Sequence, residues 1–297
     1  MKSLYLCPKC EQPLLIHEAS QGLHCCKKHH FDKNENGYWI FSQAKKPQID
    51  SRQIMRAKRF LLESGIFQPV VDVIDTMIQQ AELAEGPINY LDYECGEGYY
   101  LRTIKDKLAQ SPEGEKLAQR LNAYGITEAE NAIFSAAKIQ SEANAETQAQ
   151  DESIDTEATD SHFIVSTLKK LPFASESFDL ITLIDKQLKG KELIRLLKTG
   201  GYLIQVSPAP RHLWQIKSMV YPDLTEKELA LPKSSELELL HTEQVSFTLP
   251  IDGTQALALL EMTPYAWRAN ERVRKQLASS SFDSLEIDFL ISLSKKR

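Results

Sequence analysis

From residue 88 onward, strand-length apolar runs alternate with stretches of helical spacing. Residues 88–92, 123–126, 163–165, 178–184 and 202–206 are rich in Ile, Leu, Val, Phe and Tyr, as expected of strands buried on both faces. Helical patterns lie between them, one from about Tyr99 and an Ala-rich one over 128–139. Strands alternating with helices predict an α/β class domain with a mostly parallel, doubly wound, Rossmann-like sheet. Such sheets bind ligands at the carboxyl ends of their strands. Upstream, apolar residues at helical spacing run over 55–62 and stop at Gly65, with Asp50 or Ser51 able to cap the helix. A second helix follows Pro69 through Val70, Val73, Ile74 and Met77.

Residues 141–161 break this plan. They hold seven acidic residues, no Lys or Arg, and few large apolar side chains. Such a stretch buries too little surface to offset its chain entropy and reads as a mobile insertion without chemistry.

The first 45 residues need a different explanation. Of five cysteines, Cys7, Cys10, Cys25 and Cys26 fall within the first 26 residues, followed at once by His29 and His30. Cys-x2-Cys makes a tight knuckle whose thiolates converge on one ion, and a second pair about 15 residues later closes a tetrahedron. Thiolate and imidazole together suit zinc. The expected ligands are Cys7, Cys10, Cys25 and His29, with Cys26 and His30 as the alternative second pair. A site closed by four ligands is structural, holding a segment too short to bury its own core. Residues 31–32 and 37–40 look like a β-ribbon closing this module. The expected organisation is therefore a zinc module over 1–45, a helical linker over 46–86 and the α/β domain over 87–297.

Net charge is −6, but residues 1–60 carry 11 Lys/Arg against 5 Asp/Glu. A basic front on an acidic body can present a local phosphate-binding face, because screening confines fields to about 8–10 Å. Lys27, Lys28, Lys45, Lys46, Arg56, Lys58 and Arg59 are the candidates for that face. No run of about 18 apolar residues occurs, and the start MKSLYLCPKC lacks the pattern of a secretory signal. A cytoplasmic location without membrane contact is expected.

The first strand leads into Asp92-Tyr93-Glu94-Cys95-Gly96-Glu97-Gly98-Tyr99-Tyr100. A glycine turn between strand and helix lets a cofactor approach the backbone closely. This segment, together with Leu171-Pro172-Phe173, Pro210-Arg211-His212-Leu213 and 262–268 (Met-Thr-Pro-Tyr-Ala-Trp-Arg), resembles the bacterial 23S ribosomal RNA (guanine-N1)-methyltransferase family. The zinc pattern and the stretch over 55–69 match as well, so the resemblance spans nearly the whole chain outside the acidic insertion.

That resemblance implies methyl transfer from S-adenosylmethionine (SAM) to N1 of a guanine in a hairpin of 23S ribosomal RNA. It also implies a zinc ion and a homodimer. Carried over by position, the SAM contacts would be Phe67, Asp92, Gly96, Glu97, Gly98, Tyr99 and His212, with Thr127 or Glu128 at the ribose. The chain departs from the family pattern at four places. Phe67 stands where a tyrosine is usual. Glu94 replaces the first glycine of the turn. Thr127 replaces the acid ending the second strand. Asp185-Lys186-Gln187-Leu188 replaces an Ala-Pro-Cys loop. These departures leave open a second expectation, a methyltransferase-fold protein that has lost SAM and binds RNA or acts as a scaffold. Asp185 is the candidate base for guanine N1. Tyr265 and Trp267 are candidates for stacking on the base, and Arg211 and Arg268 for contacting phosphate or pairing with acids.

Overall fold

The computed structural model describes residues 4–17, 20, 22–42, 52–150 and 161–297. Three short strands, β1 (Leu15–Ile16), β2 (Leu23–His24) and β3 (His30–Phe31), form a small antiparallel sheet. After β4 (Trp39–Ile40) come helices α1 (Arg52–Glu63) and α2 (Gln68–Gln80). The alternating region then runs β5 (Ile88–Tyr93), α3 (Tyr99–Leu108), α4 (Pro112–Ala118), β6 (Leu121–Thr127), α5 (Glu130–Gln150), β7 (His162–Val165), β8 (Phe178–Ile184), α6 (Glu192–Leu196) and β9 (Leu197–Pro208). It ends with α7 (Trp214–Val220), β10 (Leu237–Asp252), α8 (Gly253–Glu261), α9 (Glu271–Ala278) and β11 (Ser281–Lys296).

The large sheet has the order β10-β11-β9-β8-β5-β6-β7-β4. β4, β7, β6, β5, β8 and β9 pair in parallel, and the β11–β10 hairpin completes one edge antiparallel. β5 and β8, central neighbours, form the point where the winding reverses, so the crevice beyond their carboxyl ends is the place for a ligand. Among the described residues no helix is long and apolar enough to cross a membrane.

The sheet buries both faces. On one, Ile74, Tyr90, Ile104 and Leu259 join α2, α3 and α8 to the strands. On the other, Leu91, Phe173 and Ile181 pack with Leu14, Leu23 and Phe31 of the N-terminal module. That module is stitched down by backbone bonds from Leu6 N–H to Pro172 O and from Ala174 N–H to Leu4 O, both 3.0 Å. Leu171-Pro172-Phe173 is thus the strip on which the module docks.

Two expectations need correction. The ribbon over 31–32 and 37–40 reduces to one bridge, Lys33 to Trp39. Trp39 and Ile40 instead extend the large sheet beside Ile164 and Val165, where Trp39 is buried and stacks on Phe41 at 6.2 Å. The acidic segment is helical in its first half, because α5 continues to Gln150. Ala, Glu and Gln are strong helix formers, and their local preference outweighs the lack of apolar surface. Its ends meet where the Gln140 amide bonds both N–H and C=O of Ser161 (2.9 and 3.2 Å). Residues 151–160 of that segment, and the capping candidates Asp50 and Ser51, lie outside the described residues.

Candidate active site and metal centre

Each half of the candidate metal centre is built on a tight turn. In the first, the amides of Cys10 and Glu11 donate to the Cys7 carbonyl (3.3 and 2.7 Å), and in the second Lys28 N–H donates to the Cys25 carbonyl (2.9 Å). Glu11 and Lys28 turn the chain away at φ of 60° and 61°. Cys7 Sγ lies 3.4 Å and Cys25 Sγ 3.5 Å from His29 Nδ1, and the Cys10 and Cys25 sulfurs are 3.6 Å apart. All four ligand atoms lie within 4.8 Å of one another. Zinc bonds of about 2.0–2.3 Å in a tetrahedron require ligand atoms about 3.4–3.8 Å apart, so the set fits zinc. The geometry favours this register over the alternative. Cys26 is exposed, and His30 bonds Asp32 Oδ1 at 2.7 Å.

The cofactor candidates gather at the carboxyl end of β5. Gly96 (φ 56°) and Gly98 (φ 73°) take the left-handed conformation that glycine adopts without penalty, and Gly98 opens α3. Two carboxylates reach the same cavity with an oxygen unsatisfied. Asp92 Oδ1 accepts from the Thr182 hydroxyl (3.0 Å), which itself accepts from Tyr90. Asp92 Oδ2 is buried without a partner. Burial pushes the Asp92 carboxyl up to about 7, against the Thr182 hydrogen bond. Glu97 Oε2 accepts from Ser135 at 3.3 Å, and its Oε1 is likewise orphaned. Burial raises this carboxyl too, opposed by Arg102 and Arg59.

His212 closes another wall. It is 6% exposed and packs on Phe289 with ring centres 4.1 Å apart. Burial, aided by Lys217, drives its pKa down to about 3, so the ring is neutral. Nδ1 accepts from Asp288 N–H at 3.3 Å, which leaves the proton on Nε2 as a donor. Phe67, Tyr99 and Asp185 line the same cavity, whose volume is about 220 Å³. That is below the usual range of roughly 300–1,000 Å³ for small-molecule sites.

Two expected ribose ligands do not face this cavity. Thr127 Oγ1 accepts from Ala129 N–H (3.4 Å), and Glu128 Oε1 accepts from Leu168 N–H (3.0 Å). Both side chains are taken up in turning the chain after their strand. Glu94, by contrast, occupies the glycine position at φ 58° and pairs with Lys186 Nζ at 2.9 Å. Two departures from the family pattern therefore contact each other beside the cavity.

The RNA-facing candidates divide among several elements. Lys27 and Lys28 are exposed on the second zinc knuckle. Arg56 and Arg59 line a cleft of about 840 Å³ with Tyr38, Phe134 and Lys138. Arg59 also pairs with Glu63 at 2.7 Å, while Lys58 lines the same cavity as Asp92 and His212. Arg211 is not available to phosphate in this arrangement. It clamps Glu286 through two bonds of 2.8 and 2.6 Å, reaches Glu226 at 3.3 Å and lies over Trp214. Trp267 is 75% exposed, and the Arg268 guanidinium lies over its ring (4.8 Å) and that of Tyr221 (5.4 Å). Lys45 and Lys46 lie outside the described residues. Sequence reasoning missed Lys217, Tyr221 and Thr182, none of which stands in a recognisable spacing.

A doubly wound sheet with a glycine turn after its first central strand, unsatisfied acids beneath that turn and an antiparallel final strand pair defines a Rossmann-like α/β domain with a candidate ligand site at the carboxyl end of β5. No family model matches the chain. It is 25% identical, over 98% of its length and 97% of the relative's, to YxjB of Bacillus subtilis (strain 168), provisionally named a 23S rRNA (guanine-N(1)-)-methyltransferase. It is 22% identical to the 23S rRNA (guanine(748)-N(1))-methyltransferase of Streptomyces fradiae, over 88% of this chain and 85% of that one. Among solved structures, the MccD protein is similar with a TM-score of 0.45 and 15% identity, covering 75% of this chain and 96% of that one.

Proposed function

We propose that the protein is a SAM-dependent methyltransferase acting on N1 of a guanine in 23S ribosomal RNA, within a hairpin, in the cytoplasm and as a homodimer. The observation that carries this reading is the β5 turn. The glycines, the orphaned oxygens of Asp92 and Glu97 and the His212 Nε2 donor converge there, in a chain similar to such enzymes along nearly its whole length. The donor set fits the charged end of SAM. Asp92 and Glu97 would take its cationic groups, and His212 with the amides opening α3 its carboxylate. When bound, SAM supplies a methyl group activated by its sulfonium. The protein's part is to hold the base edge, exclude water and accept the N1 proton. Cys7, Cys10, Cys25 and His29 would hold a zinc ion, which would keep the basic module folded against the sheet.

Primer extension across ribosomal RNA from a deletion strain tests this reading, because N1 methylation stops reverse transcription. Loss of one stop is expected, and an unchanged stop pattern would remove the assignment. A second reading, a fold relative without SAM, is favoured by one observation, the Glu94–Lys186 pair in a small cavity. Primer extension separates the two.

The raised Asp92 value sets a pH dependence. A cation bound against the carboxylate favours its ionised form, so SAM binding should expel a proton and tighten as pH rises through about 7. Calorimetry at pH 6 and pH 8 should show roughly tenfold tighter binding at the higher pH, and equal affinity would contradict it. Asp185 titrates over the same range, so the comparison is repeated in Asp185→Asn. For the ligand-free fold, the sign is opposite. A neutral buried carboxyl is tolerated, so stability is full below about 4 and falls as pH rises through about 7.

A further inference from the structure

Beside the cofactor cavity lies a second one of about 730 Å³ between β9, α7 and the segment over 265–268, lined by Gln187, Trp214, Lys217, Tyr221, Tyr265 and Arg268. The two cavities share a wall. Asp185, His212–Leu213 and Thr263 face the first, and Gln187, Trp214 and Tyr265 face the second. Three polar groups at this wall lack partners. The half-buried Asp185 carboxylate and the half-buried Lys217 amine make no hydrogen bond or ion pair among the described residues, although each feels the other's charge. The Tyr265 hydroxyl is buried without a hydrogen bond, and the neighbouring Thr263 hydroxyl donates to Leu260 O (2.7 Å). Unpaired buried polar groups are costly unless a ligand completes them. The loop that carries Asp185 is also fixed. Asp185 N–H donates to Val206 O (2.9 Å), and Gln205 Nε2 to Lys186 O (3.3 Å).

We propose that this second cavity is the acceptor-base subsite, and that it takes the Watson–Crick edge of a guanine turned out of the RNA. The inference rests on the methyltransferase reading and names its acceptor side. Guanine presents O6, N1–H and an N2 amine in a row. The Asp185 carboxylate matches N1–H and N2–H, and the Lys217 amine matches O6. In the reaction the N1–H bond breaks with its proton on Asp185. The electron pair stays on N1, where it forms the new bond to the methyl carbon, and the pair of the broken sulfur–carbon bond remains on the donor's sulfur. Loss of the N1 proton spreads negative charge onto O6, where the Lys217 cation opposes it. Burial lifts Asp185 to about 7, a suitable strength for a general base at neutral pH. Tyr221 and Tyr265, edge to face at 5.8 Å, with Arg268 over Tyr221, supply flat surfaces for the base.

Two arms test the subsite with zinc-loaded full chain. In the first, guanosine 5′-monophosphate and adenosine 5′-monophosphate are titrated against protein fluorescence, for which Trp214 is the local reporter. Wild type should bind the guanosine nucleotide at least tenfold tighter, and Asp185→Asn and Lys217→Met should each erase that preference. Asparagine tolerates the φ of 55° at position 185, and methionine keeps the apolar stem of Lys217, so both variants should fold. Equal or absent binding of the two nucleotides by wild type would overturn the subsite. In the second arm, methyl transfer to a 23S ribosomal RNA transcript is followed. Asp185→Asn should slow it about 100-fold or more with RNA affinity within twofold, and transfer at the wild-type rate would also overturn the proposal. Absence of transfer by wild type is a failure of the proposed function, and the nucleotide arm then decides the subsite by itself.

Discussion

Glu94→Gly should tighten SAM binding at least tenfold and stabilise the ligand-free chain by about 1 kcal/mol. The stability gain comes from the backbone. Glu94 sits at φ 58°, a conformation that costs an L-residue about 1–2 kcal/mol and a glycine almost nothing. Its pair with Lys186, with side chains 26% and 48% exposed, returns only about 0–1 kcal/mol, so the strain is not fully offset. The affinity gain comes from space and charge. Glu94 lines a cavity of about 220 Å³, and its carboxylate would sit beside the carboxylate of the ligand. Lys186 holds that group aside, so Lys186→Ala should weaken SAM binding several-fold in wild type and leave it unchanged in the Glu94→Gly background. Equilibrium dialysis of the four proteins measures the coupling. Additive effects, or weaker binding in Glu94→Gly, would show that the pair does not bound the cofactor site.

Cys25→Ser should release the metal and lower the melting temperature by about 10 °C, whereas Cys26→Ser should retain one zinc per chain and melt like wild type. Structural zinc contributes about 10–16 kcal/mol of binding free energy to small modules. Here the module is also part of the cover of the sheet. Leu14, Leu23 and Phe31 pack with Phe173 and Ile164, so losing the module bares apolar surface on the main domain. A net loss of about 3–5 kcal/mol corresponds to the expected shift at about 2–4 °C per kcal/mol. Metal analysis and thermal melts of the two variants decide. Zinc lost from Cys26→Ser and kept in Cys25→Ser would reverse the ligand assignment.

The central strands were legible because β5, β6, β7, β8 and β9 are buried on both faces and are rich in apolar residues. The candidate metal ligands were legible as a group but not in register. Cys25 and Cys26 are adjacent, both spacings close a tetrahedron on paper, and only the turn at Lys28 shows which sulfur points inward. The β10–β11 hairpin escaped notice because α8 and α9 separate its strands and β10 is an edge strand. Its Glu243, Gln244, Ser246 and Thr248 are exposed and hide the apolar alternation. Helix α4 was missed although Ser111-Pro112 is a cap followed by proline, with Ser111 Oγ accepting from Gly114 N–H. At the candidate cofactor site, Asp92, Gly96 and His212, expected from sequence position, line one cavity, and Gly98 opens the helix beside it. Sequence position could not show that Glu128 turns to Leu168, nor that Glu94 finds Lys186 92 residues away. Side-chain direction at a strand end depends on the next loop, and no local pattern encodes it.

Titration calorimetry of SAM into the zinc-loaded wild-type chain at pH 8 tests the central claim most directly. Saturable binding of one SAM per chain in the micromolar range is expected, weakened at least tenfold in Asp92→Asn. No heat of binding up to millimolar SAM, from protein that retains its zinc and melts cooperatively, would contradict it.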